Sequence, residues 1–344
     1  MNKVNLKGLS RKELDDFIAD IGEKSFRSSQ IWAWIYGKGL TSFDGMTNIS
    51  RDLRNRLDQI AVISSLKLVH SMTSSQSQTQ KFLWELEDGL RMESVFIPDG
   101  KRRTVCISSQ VGCSLGCTFC ATGVMGFFRN LEPHEIVDQV LAIQRQVGEK
   151  STNVVVMGMG EPFLNYENVV KALSIINDPE GVAISHRKIT ISTAGIVPQI
   201  FRYAEEGRPF KLAISLNATT DIQRSRLMPV NKKYPLRALL EACKTYTVKQ
   251  RKRLTFEYVL LRGENDTRQD AHRLLTLLKG IPCKVNLIAY NRTTDAFARP
   301  DEAHIQTFAE SIRYLCAPVT LRLSRGDDID GACGQLAASK PLLS

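Results

Sequence analysis

Apolar residues follow the period of strands in some parts of the chain and the period of helices in others. From residue 103 onward, short runs rich in Val, Ile and Leu alternate with amphipathic stretches. The runs predicted to be strands are RTVCIS, NVVVMG, RKITIST, KLAISLN, LTFEYVLL, KVNLIAYN and VTLRLS. The predicted helices between them cover residues 132–147, 165–177, 236–248, 267–279 and 301–315. This alternation predicts an α/β fold with a parallel sheet wrapped by helices, closed or partly closed as a barrel.

The first 62 residues show a helical period without intervening strands. The segment LSRKELDDFIADIG places Ser10 and Glu13 at capping-box spacing and ends at Gly22, which is a typical pattern for a short amphipathic helix. The segments SSQIWAWIYGKG and NISRDLRNRLDQI have the same character. We therefore expect residues 1–62 to form a small helical accessory domain.

Residues 63–98 predict a connecting β segment. Three runs of strand-forming residues there, LKLVH, KFLWELE and RMESVFI, enclose a loop rich in Ser, Gln and Thr at residues 71–80. The remaining residues, 99–344, are predicted to form the barrel, with a loop containing Cys333 after its last strand.

Composition and charge limit the class of protein. The hydrophobic content of 43% excludes a disordered chain. No apolar stretch reaches the length of a membrane span, and the N-terminus lacks the apolar segment of a signal peptide, so we expect a cytoplasmic protein without a membrane partner. The net charge is +10, and nearly all of it lies beyond residue 90, in basic runs that favour a nucleic-acid partner.

Three of the eight cysteines form one short cluster. Cys113, Cys117 and Cys120 have the spacing C-x3-C-x2-C within the segment CSLGCTFC. A 4Fe–4S cube usually takes four thiolates, so three would leave one iron open for an external ligand. The alternative is a structural zinc site that uses Cys106 as its fourth ligand. That alternative describes a non-catalytic, zinc-stabilised RNA-binding protein.

Polar and small residues follow several of the predicted strands. Because the carboxyl ends of parallel barrel strands meet at one mouth, we expect these residues to converge there. After the cysteine cluster they include Gly160, Glu161, Ser192, Ser215, Asn217 and Asn291, and finally the segment RGDDIDGACGQ with Cys333.

C-x3-C-x2-C directly after the first barrel strand resembles the radical S-adenosylmethionine superfamily. The resemblance implies a partial (β/α)6-type barrel, a 4Fe–4S cluster held by the three cysteines, and S-adenosylmethionine as cofactor. GMGEP resembles the segment that binds the methionine amino group, and ISTAG, SLN and the later Asn resemble the other cofactor contacts. The implied cofactor-binding residues are Gly160, Glu161, Ser192, Ser215, Leu216, Asn217 and Asn291.

Four segments together resemble a narrower family. VCISSQVGCSLGCTFCATG, GMGEP, RLMPVNKKYPL and RGDDIDGACGQL are similar to the dual-specificity adenosine-C2 RNA methyltransferases, which modify 23S ribosomal RNA and transfer RNA. The resemblance implies that Cys333 first accepts a methyl group from S-adenosylmethionine and then becomes bonded to the RNA. Cys106 then resolves the adduct by forming a disulfide, and Glu93 removes the C2 proton.

Further expectations accompany this resemblance. The partners would be 23S rRNA, tRNA and an external electron donor such as flavodoxin, and we expect a monomer. A sister family that methylates adenosine C8 is the alternative within the same chemistry. Asn217 stands where the family commonly has His. Cys243, Cys283 and Cys316 are expected to be inert thiols.

Overall fold

The computed structural model describes residues 3–313, 318–322 and 324–338. Its N-terminal unit consists of short helices closed by a two-stranded parallel sheet. The capping box predicted for the first helix is present, because Ser10 accepts the N–H of Glu13 while the Glu13 side chain accepts the N–H of Ser10. The elements of the unit are β1 (Val4–Asn5), α1 (Arg11–Asp20), α2 (Phe26–Trp32), α3 (Arg51–Ile60) and β2 (Ala61–Val62).

The predicted connecting β segment forms three antiparallel strands. They are β3 (Lys67–Thr73), β4 (Gln80–Glu85) and β5 (Arg91–Asp99). β5 also pairs antiparallel with the first barrel strand, β6 (Arg102–Ile107). The segment therefore extends the barrel sheet rather than forming a separate ribbon.

The rest of the described chain alternates strands and helices. After β6 come β7 (Gln110–Gly112), α4 (Ala121–Met125), β8 (Phe127–Asn130), α5 (Pro133–Val147), β9 (Asn153–Val156), α6 (Tyr166–Asn177), β10 (Ile189–Thr193), α7 (Val197–Glu205), β11 (Lys211–Ser215), α8 (Asp221–Leu227), α9 (Leu236–Gln250), β12 (Leu254–Leu260), α10 (Arg268–Leu277), β13 (Cys283–Ala289), α11 (Glu302–Ser311) and β14 (Val319–Arg322).

The main sheet has the strand order β14-β13-β12-β11-β10-β9-β6-β5-β4-β3. In the described part of the chain, β6 and β9 through β14 are all parallel, and each consecutive pair is connected through at least one helix. The predicted α/β fold class, a partial (β/α)6-type barrel with a small helical unit at its N-terminus, is therefore confirmed. All carboxyl ends of these strands lie at one end of the barrel, the carboxyl mouth, and all amino ends lie at the amino mouth.

Some elements differ from the sequence prediction. The hairpin of β7 and β8 and the helices α4, α7 and α8 were not predicted; the hairpin strands, α4 and α8 are too short to show a period, whereas α7 is amphipathic and was missed. The helix expected at 301–315 is α11, which covers Glu302–Ser311, and residues 314 and 315 lie outside the described part. α5 was predicted well because Pro133 opens it and Gly148, with φ of 71°, ends it.

The N-terminal unit is attached to the barrel by a buried ion pair. Lys7 Nζ lies 2.7 Å from Asp138 Oδ1 on α5, and both side chains are almost fully buried. Burial lowers the pKa of Lys7, and the attraction of Asp138 opposes that effect. None of the helices in the described residues has the length and apolar character needed to cross a membrane.

Candidate active site

The three clustered cysteines lie on a loop closed by the β7–β8 hairpin. β7 pairs antiparallel with β8, and Cys113 N donates to Gly126 O at 2.7 Å. Gly112 has φ of 73°, and a Cβ built on it would lie 1.9 Å from Gly126 O. Only glycine fits this close approach of two backbones. The hairpin missed by sequence reasoning is therefore what holds the ends of the cysteine loop together.

The cysteine thiols are near one another and partly shielded. Burial raises the pKa of Cys113 to about 12 and that of Cys117 well above its usual value, and negative charge on Cys120 would raise both further. Among the described residues, no group of three His, Cys, Asp or Glu side chains is arranged to hold a single metal ion. Three thiols on one loop are the donor set of an iron–sulfur cube with one open iron. Metal binding replaces the thiol protons that burial otherwise retains.

The GMGEP loop packs directly on the end of β6. A Cβ on Gly158 would lie 2.6 Å from Ser108 Oγ, and one on Gly160, which has φ of 95°, would lie 2.5 Å from Gln110 Cβ. The Glu161 carboxylate is buried and accepts the N–H of Phe163 at 2.9 Å and that of Ala194 at 2.7 Å. Burial raises the pKa of Glu161. Glu161 thereby links the loops that follow β9 and β10.

Ser192 and Ser215 meet beside a carboxylate that sequence reasoning missed. Ser192 Oγ donates to Glu257 Oε2 at 2.7 Å, and the Ser192 and Ser215 hydroxyl oxygens are 3.5 Å apart. Glu257 is buried on β12 and faces the barrel interior. The available signal was a lone acidic residue within the apolar run LTFEYVLL. Its charged side chain belongs to the interior face of the strand.

Leu216 and Asn217 are both buried, and neither lines the barrel cavity described below. Leu216 is fully buried in the core. Asn217 has φ of 56°, a conformation that asparagine tolerates better than most residues. Its Oδ1 accepts the N–H of Val259 at 2.9 Å, and its Nδ2 donates to Met228 Sδ at 3.4 Å. The Asn217 side chain therefore ties the end of β11 to β12 and does not line the cavity described below.

A buried arginine, also not predicted from the sequence, forms hydrogen bonds with the backbone at the carboxyl mouth. Arg224 on α8 is fully buried and donates to the carbonyl oxygens of Ala194 at 2.6 Å, Leu216 at 3.1 Å and Ser215 at 3.2 Å. Burial lowers the pKa of Arg224 to about 10, and negative charge on Cys117 opposes that effect. The guanidinium thus pairs with buried backbone carbonyls at the ends of β10 and β11.

Residues 324–338, which follow β14 and which we call the Cys333 segment, fold back onto the cysteine loop. Ala121 N donates to Gly334 O at 2.8 Å, and Asn291 Nδ2 donates to Cys333 O at 3.0 Å. Thr293 Oγ1 donates to Phe119 O at 3.0 Å. These contacts place Cys333, the candidate methyl carrier, beside the cysteine loop. They also cover much of the carboxyl mouth.

A cavity of about 610 Å³ occupies the barrel interior, and Cys106 and Cys333 both lie on its wall, with Glu257 and Asn291. We call it the barrel cavity. The Cys333 thiol is exposed, but to this cavity deep inside the molecule rather than to the outer surface. Burial raises the pKa of Cys333 to about 11 and that of Cys106 to about 12, and nearby Arg322 opposes both shifts. Both side chains are free thiols.

Two polar atoms on residues of this cavity lack a hydrogen-bond partner among the described residues, Asn291 Oδ1 and Ser324 Oγ. Asn291 Oδ1 is buried and accepts no hydrogen bond from any described residue. An unsatisfied buried acceptor costs about 1–3 kcal/mol, which a donor on a bound ligand would recover. The exocyclic amino group of adenine in S-adenosylmethionine is such a donor, so this position fits the cofactor.

Glu93 lies on β5 and is almost fully buried. Its Oε2 accepts the N–H of Ala337 at 3.0 Å, which connects it to the Cys333 segment, and Lys81 Nζ lies 3.4 Å from its Oε1. Burial raises the pKa of Glu93, and the Lys81 ammonium opposes that rise.

Cys243 and Cys283 do not line the barrel cavity. Cys243 on α9 and Cys283 at the start of β13 are buried, and burial raises the pKa of Cys283 to about 11. Cys316 lies outside the described residues.

Comparison with known families identifies two parts of the chain. Residues 4–63 match the family described as the ribosomal RNA large subunit methyltransferase N-terminal domain, and residues 107–275 match the radical SAM superfamily. The dual-specificity RNA methyltransferase RlmN of Geotalea uraniireducens (strain Rf4) is 47% identical, covering 98% of this chain and 97% of that protein. The chain belongs to the RlmN family. RlmN-type enzymes are radical SAM RNA methyltransferases, so this chain is an enzyme of that class.

Further relatives agree with this membership. The probable dual-specificity RNA methyltransferase RlmN of Thermoanaerobacter sp. (strain X514) is 45% identical over 96% of this chain and 97% of that protein. The crystal structure of a radical SAM methyltransferase from Sphaerobacter thermophilus is 42% identical and superposes with a TM-score of 0.93, covering 98% of this chain and 100% of that one. As in other RlmN-type and radical SAM enzymes, the cofactors are a 4Fe–4S cluster and S-adenosylmethionine.

Proposed function

We propose that this enzyme methylates C2 of an adenosine in 23S rRNA and in tRNA, in the cytoplasm, through an S-methylcysteine at Cys333. One observation carries the proposal. Cys106 and Cys333 come from the first barrel strand and from the segment after the last, yet both line the barrel cavity next to the cysteine loop. Two lone thiols on one cavity wall favour a mechanism that uses both.

Each cofactor has residues suited to hold it. Cys113, Cys117 and Cys120 would hold the cluster. The Glu161 loop and Asn291 would hold S-adenosylmethionine, and the Ser192–Glu257 pair would face its hydroxyl groups. When bound, these cofactors supply the methyl group and the radical chemistry that an electron-poor amidine carbon requires.

The side chains of the enzyme perform the remaining steps. Cys333, exposed in the cavity, accepts a methyl group; once the radical chemistry supplied by the bound cofactors has removed a hydrogen atom from that methyl group, its carbon bonds to C2 of the RNA base. Glu93 accepts the C2 proton of the adduct, for which a carboxylate with a raised pKa is a suitable base. The Cys106 thiolate then attacks the Cys333 sulfur: the disulfide forms as the bond between that sulfur and the RNA-linked carbon breaks, and the carbon takes up a proton to become the methyl group of the released RNA.

RNA from cells with and without this protein tests the proposed carbon position and RNA species together. We expect mass spectrometry of nuclease digests to find 2-methyladenosine in 23S rRNA and in tRNA only when the protein is present. Cells with Cys333→Ala should lack it, whereas Cys243→Ala cells should retain it. Detection of 8-methyladenosine instead would support the sister activity at C8 and would contradict our assignment.

The acid limb of the pH–rate profile should reflect the ionisation of the Glu93 carboxylate. Its carboxylate accepts a proton only when ionised, so the single-turnover rate should fall as the pH decreases through its pKa, which burial places above the usual value of about 4.3. Lys81→Met removes a cation that favours the ionised form, so the limb should move to higher pH. Lys67→Met, which removes an exposed partner of Glu85, is the matched control and should leave the limb in place. An unmoved limb in Lys81→Met would exclude Glu93 as the base.

We further propose that the enzyme acts as a monomer and receives electrons from an external one-electron donor such as flavodoxin. The described chain holds its cysteine loop at the carboxyl mouth, next to the exposed side chains of Val124, Phe127 and Phe128, where a donor could approach.

A further inference from the structure

Four cations surround the amino mouth of the barrel, at the end opposite the cysteine loop. Arg102 and Lys211 open β6 and β11, Lys188 directly precedes β10, and Lys284 is the second residue of β13. We call them the mouth cations. All four are exposed, and Arg102, Lys188 and Lys211 line the barrel cavity. The cavity that contains Cys333 therefore extends to a basic rim at the other end.

The mouth cations lack charge partners. In the part of the chain that the structure describes, none of them forms an ion pair, whereas the nearby Arg103 and Arg325 pair with Glu149 and Asp99. Burial lowers the pKa of Lys211, and repulsion from Lys284 and Arg102 lowers it further. Arg102, Lys211 and Lys284 are thus close enough to repel one another, and Asp99, the acidic residue opposite Arg102, is paired with Arg325 instead. A polyanion bound there would relieve that repulsion.

The carboxyl mouth is largely covered by contacts already described. The cysteine loop, the segment after β13 and the Cys333 segment hydrogen-bond to one another there. At the amino mouth, Arg325 pairs with Asp99 and donates to Pro98 O, and the cavity lining still reaches Arg102, Lys188 and Lys211 there. Arg102 and Cys106 lie on the same strand, four residues and about 13 Å apart, since a strand rises about 3.3 Å per residue. The amino mouth therefore offers a short route to the thiols.

We propose that the amino mouth is where the RNA enters, with the mouth cations binding the phosphates that flank the target adenosine. The base, extruded from its stack, passes into the barrel cavity toward Cys333. Neutral polar side chains of Asn153, Thr190 and Thr255 line the passage and can bond to the sugar or the base. This inference rests on the proposed function in one respect, namely that the substrate is RNA.

An RNA backbone fits these charges better than an acidic peptide does. Its phosphates repeat at every nucleotide, and each contact with a Lys or Arg also releases a condensed counterion. An extruded nucleotide brings its flanking phosphates to the rim while its base occupies the passage. One RNA strand would then contact both the mouth cations and the barrel cavity.

The test compares two triple variants of the full-length holoenzyme. Arg102→Gln/Lys188→Gln/Lys211→Gln removes three mouth cations. Arg237→Gln/Lys244→Gln/Lys279→Gln removes three exposed cations outside the cavity, two on α9 and one just after α10.

Binding of unmodified tRNA is measured against salt concentration. For the mouth variant we expect Kd to rise about 10-fold or more near 0.15 M salt. Its slope of log Kd against log salt should fall by about 2, because each lost phosphate contact in a single strand contributes about 0.7. The control variant should match the unmodified enzyme in both quantities.

A second measurement separates the entry route from the chemistry. Methyl transfer from S-adenosylmethionine to Cys333 in the absence of RNA, followed by intact-protein mass, should proceed at the same rate in the mouth variant and in the unmodified enzyme. Equal tRNA affinity and equal salt slope for the two triple variants would overturn the proposal, even where the unmodified enzyme methylates RNA. If the unmodified enzyme methylates no RNA, the proposed function fails, but the binding comparison still decides the role of the rim.

A pair of single-substitution variants tests the proposal if the triple mouth variant does not fold. Lys284→Glu reverses one exposed charge at the rim, and Lys279→Glu reverses one on the outer surface. Weaker tRNA binding in Lys284→Glu alone, at unchanged thermal midpoint, supports the entry site. Equal binding by the two variants contradicts it.

Discussion

Replacing Cys106 by alanine should leave the RNA covalently attached to Cys333 during turnover. In the proposed mechanism the adduct is released only when a second thiol attacks the Cys333 sulfur, and Cys106 is the thiol that shares the cavity wall with it. Labelled tRNA incubated with the reduced holoenzyme and S-adenosylmethionine should then migrate with the protein on a denaturing gel. We expect most of the enzyme to be trapped, with less than one product released per enzyme molecule.

Matched variants define the specificity of this trap. Cys106→Ala/Cys333→Ala and Cys333→Ala should both remain free of RNA, because the attachment site is absent. Cys243→Ala removes a buried thiol of α9 away from the cavity, and it should form product without accumulating adduct. If Cys106→Ala stays free of RNA while the unmodified enzyme methylates, the two-cysteine mechanism is wrong.

Replacing Cys117 by alanine should remove the iron and reduce methylation to the detection limit. With two of the three loop thiols left, the cube loses a ligand, and the affinity for the cluster decreases sharply. Iron and sulfide contents after anaerobic reconstitution, together with the visible absorption band, measure the loss. Cys283→Ala, a buried thiol at the start of β13, should retain the full iron content and activity.

Metal analysis also distinguishes the two interpretations of the cysteine loop, an iron–sulfur cluster and a structural zinc site. A non-catalytic, zinc-stabilised RNA-binding protein would contain one zinc and no iron, and its RNA binding would not depend on Cys333. Stoichiometric zinc in anaerobically purified, folded protein, with no iron after reconstitution, would contradict the cluster assignment.

Features encoded by neighbouring residues were predictable from the sequence. The capping box of Ser10 and Glu13 starts α1 as expected, because both partners lie within one helical turn. The alternation of apolar runs and amphipathic stretches predicted the α/β barrel, since the period of each segment depends only on which of its faces is buried. The C-x3-C-x2-C spacing placed three thiols on one loop for the same local reason.

Features that depend on distant residues were not predictable in this way. The β7–β8 hairpin has strands of three and four residues, too short for a period to be seen. In the sequence Arg224 is an ordinary basic residue of a polar helix, and only the fold buries it against carbonyl groups at the ends of β10 and β11. Asn217 stands in a segment that resembles a cofactor contact, and no sign in the sequence indicated that its side chain accepts the N–H of Val259 on β12.

By itself, the sequence determined the class of fold, the family and the cysteine loop, because periodicity and short motifs are properties of residues close in the chain. The tertiary structure alone decided that Cys106 and Cys333 share one cavity, that Glu93 touches the Cys333 segment, and that four cations far apart in the chain lie at the same end of the barrel. The physical reason is that parallel strands align residues far apart in the chain at the same height of the barrel, and the register that does so is a product of the whole packed sheet.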